Sequence, residues 1–115
     1  MKMTLGAIVG VLNVGRQISD GIHGIFQPIE DLGDTIIQQI VKFVLEVMAA
    51  ESGLEVKLDA VLSAQLRVLP NGKFYQITLA LNVKVNNAWI TQKYVFEVFI
   101  PFIGHWDCKS YMLIN

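Results

Sequence analysis

The fold is decided by residues 54–85, which read LEVKLDAVLSAQLRVLPNGKFYQITLALNVKV. Apolar residues occupy the even positions from Leu54 to Val68, and most of the residues between them are polar. Further along, apolar residues occupy the odd positions from Tyr75 to Val85. A period of two is typical of a strand that buries one face. The stretch therefore predicts two long strands that share one apolar face.

The residues between these two strands, PNGK at 70–73, predict a tight turn. Asn-Gly tolerates the positive φ angles of a type I′ turn, so we expect a two-residue loop at Asn71-Gly72. Such a loop would pair Leu66 with Ile77 on the apolar face. The sequence thus predicts a hairpin with a defined register.

Further turn signals extend the hairpin into a meander. Asn86-Asn87 predicts a second turn, because asparagine tolerates left-handed geometry, and Pro101 and Gly104 end the strand that follows. The tail from Cys108 to Ile114 predicts a fourth strand. Which of its faces is buried is left undetermined, because apolar residues occur there at both odd and even positions. We therefore expect an antiparallel meander over residues 54–115.

Upstream of the meander, apolar residues at helical spacing predict a main helix over residues 34–53. Asp34, or an earlier cap near Gln27-Pro28, would open it, and Gly53 would close it. Glu30 and Asp31 are expected in its first turns, where the helix dipole favours negative charge. The preceding residues 1–33 predict a glycine-rich apolar arm or helix, ordered by contact with another chain or with the domain's own sheet.

These elements predict a single α+β domain, with N-terminal helical segments packed on a long-stranded antiparallel β-meander of three to four strands. The composition adds that 53% of the 115 residues are hydrophobic and 17% are charged, with a net charge of −1. This apolar excess favours a partner surface. Since Lys and Arg are scattered singly, nucleic acid is not an expected partner.

The outer face of the predicted sheet carries few charges near its centre, which fits either an ordinary weakly polar exposed face or an interface with a second sheet stacked on it. One helix is also too short to cover strands of this length, so the apolar arm lies beside it, the sheet curls around it, or another chain supplies the remaining cover. The interface candidates are accordingly Ile8, Val11, Ile18 and Ile22 in the arm, and Val61, Ala80, Val95 and Phe99 on the sheet.

No catalytic, cofactor-binding or metal-binding residue is predicted. His105-Trp106-Asp107-Cys108 mixes suitable chemical types, but His105 and Cys108 would point to opposite faces of a strand, so a loop with a packed Trp106 is preferred. Asp20 and His23 are too few to form a metal site. We therefore expect that the protein is not an enzyme.

The opening residues Met1 to Leu12 predict neither a convincing signal peptide nor a transmembrane span, which needs roughly 20 apolar residues. A cytoplasmic or virion location is favoured. The leading functional hypothesis is a non-enzymatic, self-associating structural subunit of a larger assembly, such as a virion or phage component. Its partners would be copies of itself or other protein subunits. The alternative is a small module that binds an apolar ligand or lipid between helix and sheet.

Overall fold

The computed structural model describes residues 25–114. This part of the chain forms one helix and one five-stranded antiparallel sheet, in which each strand lies beside its neighbour in sequence. The elements are β1 (Gln27–Pro28), α1 (Thr35–Ser52), β2 (Val56–Leu69), β3 (Gly72–Val85), β4 (Ala88–Pro101) and β5 (Asp107–Leu113). The predicted α+β class, with a helix packed on a long-stranded meander, is confirmed.

Helix α1 begins and ends where the sequence predicts. The Asp34 side chain accepts a hydrogen bond from the Ile36 backbone N–H at 3.2 Å, and the chain leaves the helix through Gly53 in the left-handed conformation. Glu30 and Asp31 were expected in the first helical turns, and this was wrong. Both precede the helix, because the chain is first held in β1, a strand too short to show a period in the sequence.

The hydrophobic core lies between α1 and one face of the sheet, called here the inner face. The fully buried residues come from α1 and from two strands, β3 and β4, namely Ile37, Ile40, Val44, Ile77, Leu79, Leu81, Val83, Phe96 and Val98. Each contributes roughly 1.5–3 kcal/mol through the burial of its side chain. The opposite side of the sheet is called the outer face.

The β2–β3 turn differs from its prediction. Leu69 pairs with Gly72, so the loop consists of Pro70 and Asn71, and Leu66 faces Tyr75 instead of Ile77. Among the described non-glycine residues, only Asn86 and Asn87 in the β3–β4 turn have positive φ. A type I′ turn needs positive φ at both loop residues, so the β2–β3 turn is not of this type. The reason is Pro70, whose ring holds φ near −65° and suits the first loop position of an ordinary β-turn.

The β3–β4 turn agrees with its prediction. Asn86 and Asn87 have φ angles of 52° and 65°, the left-handed values that a type I′ turn requires. The flanking strands then pair without a register shift from Val85–Ala88 to Gly72–Pro101. This turn therefore fixes the register of the two central strands.

Bulges change which side chains reach the core. Two register shifts in β2 place Val61 opposite the fully buried Leu79, where Val61 packs against the core. Val61 was predicted on the outer face, and that placement was wrong because each extra residue reverses the alternation. A register shift in the β4–β5 pairing likewise places Cys108 opposite Val98 and Tyr111 opposite Phe96. An even-numbered and an odd-numbered residue of β5 therefore both face inward.

Candidate functional site

Two chain connections meet at one end of the sheet and form an apolar surface. The β2–β3 turn follows Leu69, and the β4–β5 loop contains Phe102 and Ile103. Phe102 is 62% exposed and Ile103 is 92% exposed. We call this surface the apolar end. Large apolar side chains that are grouped and exposed in this way commonly mark an interaction site.

Backbone contacts hold the apolar end in place. The Phe102 N–H donates a hydrogen bond to the Asn71 carbonyl at 3.1 Å, which ties the loop to the turn. Gly72 allows the neighbouring strand to approach, since a Cβ there would lie 2.5 Å from the Ile100 carbonyl oxygen and 2.7 Å from the Phe99 ring. The exposed side chains are therefore presented from a closely packed base.

Shallow grooves lie beside the exposed loop. One has a volume of about 370 Å³, lies next to the start of α1, and is lined by Ile36, Lys73, Tyr75, Ile100, Pro101 and Phe102. A second, of about 330 Å³, is lined by Asn71, Pro101, Phe102 and Ile103. Burial, and secondarily the nearby charge of Asp34, raises the pKa of Tyr75, so its phenol stays neutral. These grooves suit apolar side chains rather than charged groups.

The predicted interface residues have different surroundings. Ala80 and Val95 are buried on the outer face, with 6% and 8% exposure, and Phe99 is half-buried there. Val61 lies on the inner face, as described above. Ile8, Val11, Ile18 and Ile22 fall outside the described residues. The four described positions do not form one exposed surface, and the role of all eight in an interface stays a prediction.

The structure separates the groups of the His105–Cys108 cluster. His105 is exposed, whereas Cys108 is buried against the core, and burial raises the pKa of its thiol to about 12. Asp107 pairs with Lys109 at 2.9 Å, and Trp106 packs edge-on against Phe43 with ring centroids 5.6 Å apart. A thiol that stays protonated is a poor nucleophile. The arrangement agrees with the preferred interpretation of a packed tryptophan.

Sequence reasoning missed Phe102 and Ile103. It used Pro101 and Gly104 to end a strand and did not predict that Phe102 and Ile103 would be exposed. The available signal was a pair of large apolar residues inside a turn sequence, since connections usually carry polar residues. Their exposure could not be known without the fold.

Two properties of residues 25–114 concern the type of site that this part of the chain can form. No helix there is both long and apolar enough to cross a membrane. No three His, Cys, Asp or Glu side chains in this range are grouped so that they could hold a metal ion.

Comparison of the chain with family models, with curated proteins and with solved structures found no match in any of the three. Function is therefore inferred from the apolar end itself.

Proposed function

We propose that this protein is a non-enzymatic structural subunit that associates with copies of itself through the apolar end. The observation that carries the proposal is the exposure of Phe102 and Ile103, 62% and 92%, on a loop tied to the neighbouring turn. A virion or phage structure is one class of assembly that would use such a subunit. Other proteins of the same assembly are partners of the same kind.

The energetics favour burial of this loop in a contact. Covering a large apolar side chain contributes roughly 1.5–3 kcal/mol, and the loop presents two such side chains next to each other. Because Gly72 and the Asn71 carbonyl hold the loop, little conformational entropy is lost when a partner covers it. Exposed apolar residues on a held base resemble the central anchors of protein interfaces.

The second copy is the favoured partner because the apolar end carries both a protrusion and grooves. In a two-fold contact the same surface is used by both subunits, so Ile103 of each copy can enter a groove of the other. The lining of the larger groove is mostly apolar, with Lys73 at its edge. The net charge of −1 gives little repulsion between copies.

An apolar ligand remains the second candidate, favoured by the groove of about 370 Å³ between the start of α1 and the sheet. That volume lies within the range of small-molecule sites, which is about 300–1,000 Å³. Farther in, Ile37 and Ile77 are completely buried, so the ligand would occupy the groove instead of the core. Native mass spectrometry of the purified protein would reveal a bound ligand as added mass.

Sedimentation velocity over roughly 1–100 μM protein tests self-association, because a specific contact makes the apparent mass depend on concentration. We expect Ile103→Ser to weaken association by at least about tenfold, in line with the loss of an interface anchor. Ile90→Ser is the matched control, since Ile90 is 40% exposed near the β3–β4 turn at the opposite end. A monomeric wild-type protein, or equal effects of both substitutions, would contradict the proposal.

A further inference from the structure

One edge of the sheet is open along the first half of β2. Among residues 25–114, the strand on this side of β2 is β1, which is two residues long. Its contact with β2 ends at Ala64, whose carbonyl accepts a hydrogen bond from the Ile29 N–H at 2.9 Å. No described strand lies beside residues 56–63 on that side. We call this stretch the open edge. An edge of this kind is a template on which another strand can pair.

Backbone groups point out of the open edge. The Glu55 carbonyl accepts a hydrogen bond from the Lys84 N–H at 3.0 Å, so the backbone of Glu55 faces β3. Backbone groups alternate in direction along an antiparallel strand, so those of Val56 and Leu58 face away from β3. They are therefore placed to form the hydrogen bonds of a further antiparallel pair.

Three exposed leucines occur at every fourth position along this edge. Leu54, just before β2, is 37% exposed, and Leu58 and Leu62 are 41% and 42% exposed. Leu58 lies opposite Leu81, which is completely buried, so the apolar inner face continues to the edge and stays open there. A strand that covers the edge should therefore be apolar opposite these three positions.

Two opposite charges flank the central leucine of the edge. Lys57 and Asp59 are both exposed. The Lys57 ammonium lies 4.7 Å from the centre of the Trp89 ring, and with three N–H donors it can keep this contact and also bind a carboxylate. Asp59 is the extra residue at the first register shift and has no partner in β3. A covering strand should therefore bring an acid to Lys57 and a base to Asp59.

We propose that the open edge of β2 pairs in antiparallel fashion with the open edge of a second copy, around a two-fold axis at Leu58. Leu58 then faces Leu58 of the other copy, and Leu54 faces Leu62 of the other copy. In the same register, Lys57 faces Asp59 of the other copy. Because a two-fold contact repeats every pair, the leucine pair and the ion pair each occur twice. The edge is thus complementary to itself in both apolar residues and charge.

The charges also select this register over its neighbours. A two-fold axis one residue earlier would set Lys57 against Lys57, and an axis one residue later would set Asp59 against Asp59. Like charges directly opposite each other destabilise a strand pair. Bulges and charges on an edge strand discourage indiscriminate pairing, and the open edge carries both. The second copy is therefore the occupant that the edge favours.

This contact goes beyond the proposed function and does not depend on the apolar end. Two strand edges of this length bury less than about 1,200 Å², which is the range of weak contacts. Combined with a two-fold contact at the apolar end, it would give each subunit two different contacts. Subunits with two such contacts can join into chains or closed rings, as a structural assembly requires.

Disulfide trapping on the full chain tests the register. In a Cys108→Ala background, Leu58→Cys places the thiols of two copies opposite each other. Hydrogen-bonded partners have Cα atoms about 5.5 Å apart, which suits a disulfide. With air and copper phenanthroline as oxidant, we expect covalent dimers at least about tenfold faster than for Leu62→Cys. Leu62 is the matched control because its exposure is 42% against 41% for Leu58.

The complementary pair of positions provides a second measurement. Combining Leu54→Cys with Leu62→Cys should raise dimer formation to the level of Leu58→Cys, because these two positions face each other between copies. Circular dichroism would check that each variant keeps the wild-type fold. Equal rates for Leu58→Cys and Leu62→Cys, or no gain from the combined variant, would overturn the proposal. Dimer formation by Leu58→Cys should be unchanged by Ile103→Ser, whereas a matching loss would overturn the edge as a separate contact.

A charge exchange tests the ion pairs in the Leu58→Cys, Cys108→Ala protein at low ionic strength. Lys57→Glu sets two acids against each other twice in the dimer, and we expect disulfide formation to slow at least about tenfold. Adding Asp59→Lys restores opposite charges and should bring the rate back to within about twofold of the starting protein. The contact of Lys57 with Trp89 is lost in both variants, so it cannot explain a recovery. A rate that stays low in the exchanged protein would overturn the pairing of Lys57 with Asp59.

Discussion

The two ends of the sheet differ in the contacts that their surface side chains make. Around the Asn86-Asn87 turn, Lys84 lies 3.7 Å from Glu55, and the Lys57 ammonium lies 4.7 Å from the centre of the Trp89 ring. At the apolar end, Phe102 and Ile103 are left exposed. Both ends cap the same meander, so the fold does not require the difference. The proposed function assigns this difference to a partner that covers the apolar end.

The largest effect is expected from a methyl group at the base of the apolar end. Gly72→Ala would place a Cβ 2.5 Å from the Ile100 carbonyl oxygen and 2.7 Å from the Pro101 Cα. Both are backbone atoms that cannot rotate away, so β3 and β4 must separate. We expect the free energy of unfolding to fall by about 3 kcal/mol, at the upper end for overpacked sites. Urea denaturation followed by circular dichroism would measure it.

Gly33→Ala is the matched control for this substitution. A Cβ at Gly33 would meet its nearest neighbour, Asp31 Oδ1, at 3.6 Å, an ordinary contact. The free energy of unfolding should change by less than about 0.5 kcal/mol, as for most surface substitutions. Similar losses from both variants would show that Gly72 does not hold the apolar end through close packing.

Between the two ends, stability should respond to alkaline pH through Cys108. Burial raises the pKa of its thiol from 9.0 to about 12, and burial together with the hydrogen bond to Glu51 raises that of Tyr111. The folded protein therefore keeps these protons when the unfolded chain has lost them. Stability is full below pH 9 and should fall by about 1.4 kcal/mol per pH unit per group as pH rises through this window.

Chemical denaturation at pH 8 to 10.5 would test this dependence. In Cys108→Ala the free energy of unfolding should stay nearly flat to about pH 9 and then fall less steeply than in the wild-type protein, because only the tyrosines of the unfolded chain then lose protons. The two proteins are compared by the slope of the free energy of unfolding against pH, because removal of the thiol also changes packing and hence the free energy at every pH. The same slope between pH 9 and pH 10 in both proteins would show that Cys108 is not responsible.

A smaller effect is expected at the opposite turn. Asn87→Ala puts alanine at a φ of 65°, and Asn87→Gly puts glycine there. We expect the alanine variant to lose about 1 kcal/mol, because a left-handed residue with a Cβ costs roughly 1–2 kcal/mol. The glycine variant should keep wild-type stability in thermal denaturation. If alanine were tolerated equally, positive φ would not be what fixes this turn.

The two turns also show how far the sequence determines the structure. Asn86-Asn87 was correctly predicted because local geometry and strand register agree there. At Asn71-Gly72 the same type of signal misled, because Pro70 fixes the turn and Gly72 is needed for close approach to β4. Local turn chemistry could not reveal a contact with a strand that lies about 30 residues away in sequence.

The long strands and the helix could be predicted because each repeats its pattern over several turns or pairs. The bulges could not, since a period of two gives no position for an extra residue, and Val61 was therefore assigned to the wrong face. The apolar end was missed for a related reason. Phe102 and Ile103 lie beside Asn71 only after the meander brings two distant connections to the same end of the sheet.

The smallest effect is expected from the ion pair at the opposite end. Lys84 and Glu55 approach to 3.7 Å with partly exposed side chains, so Lys84→Gln should lower stability by about 0.5 kcal/mol or less. The loss should disappear near 1 M NaCl, where the screening length is about 3 Å. Glu55→Gln should give no further loss in the Lys84→Gln background.

Self-association through the apolar end should respond to salt in the opposite way. It should persist in 1 M NaCl, because the burial of Phe102 and Ile103 is not screened by salt. Association that weakens with salt as the ion pair does would remove the contrast between the two ends.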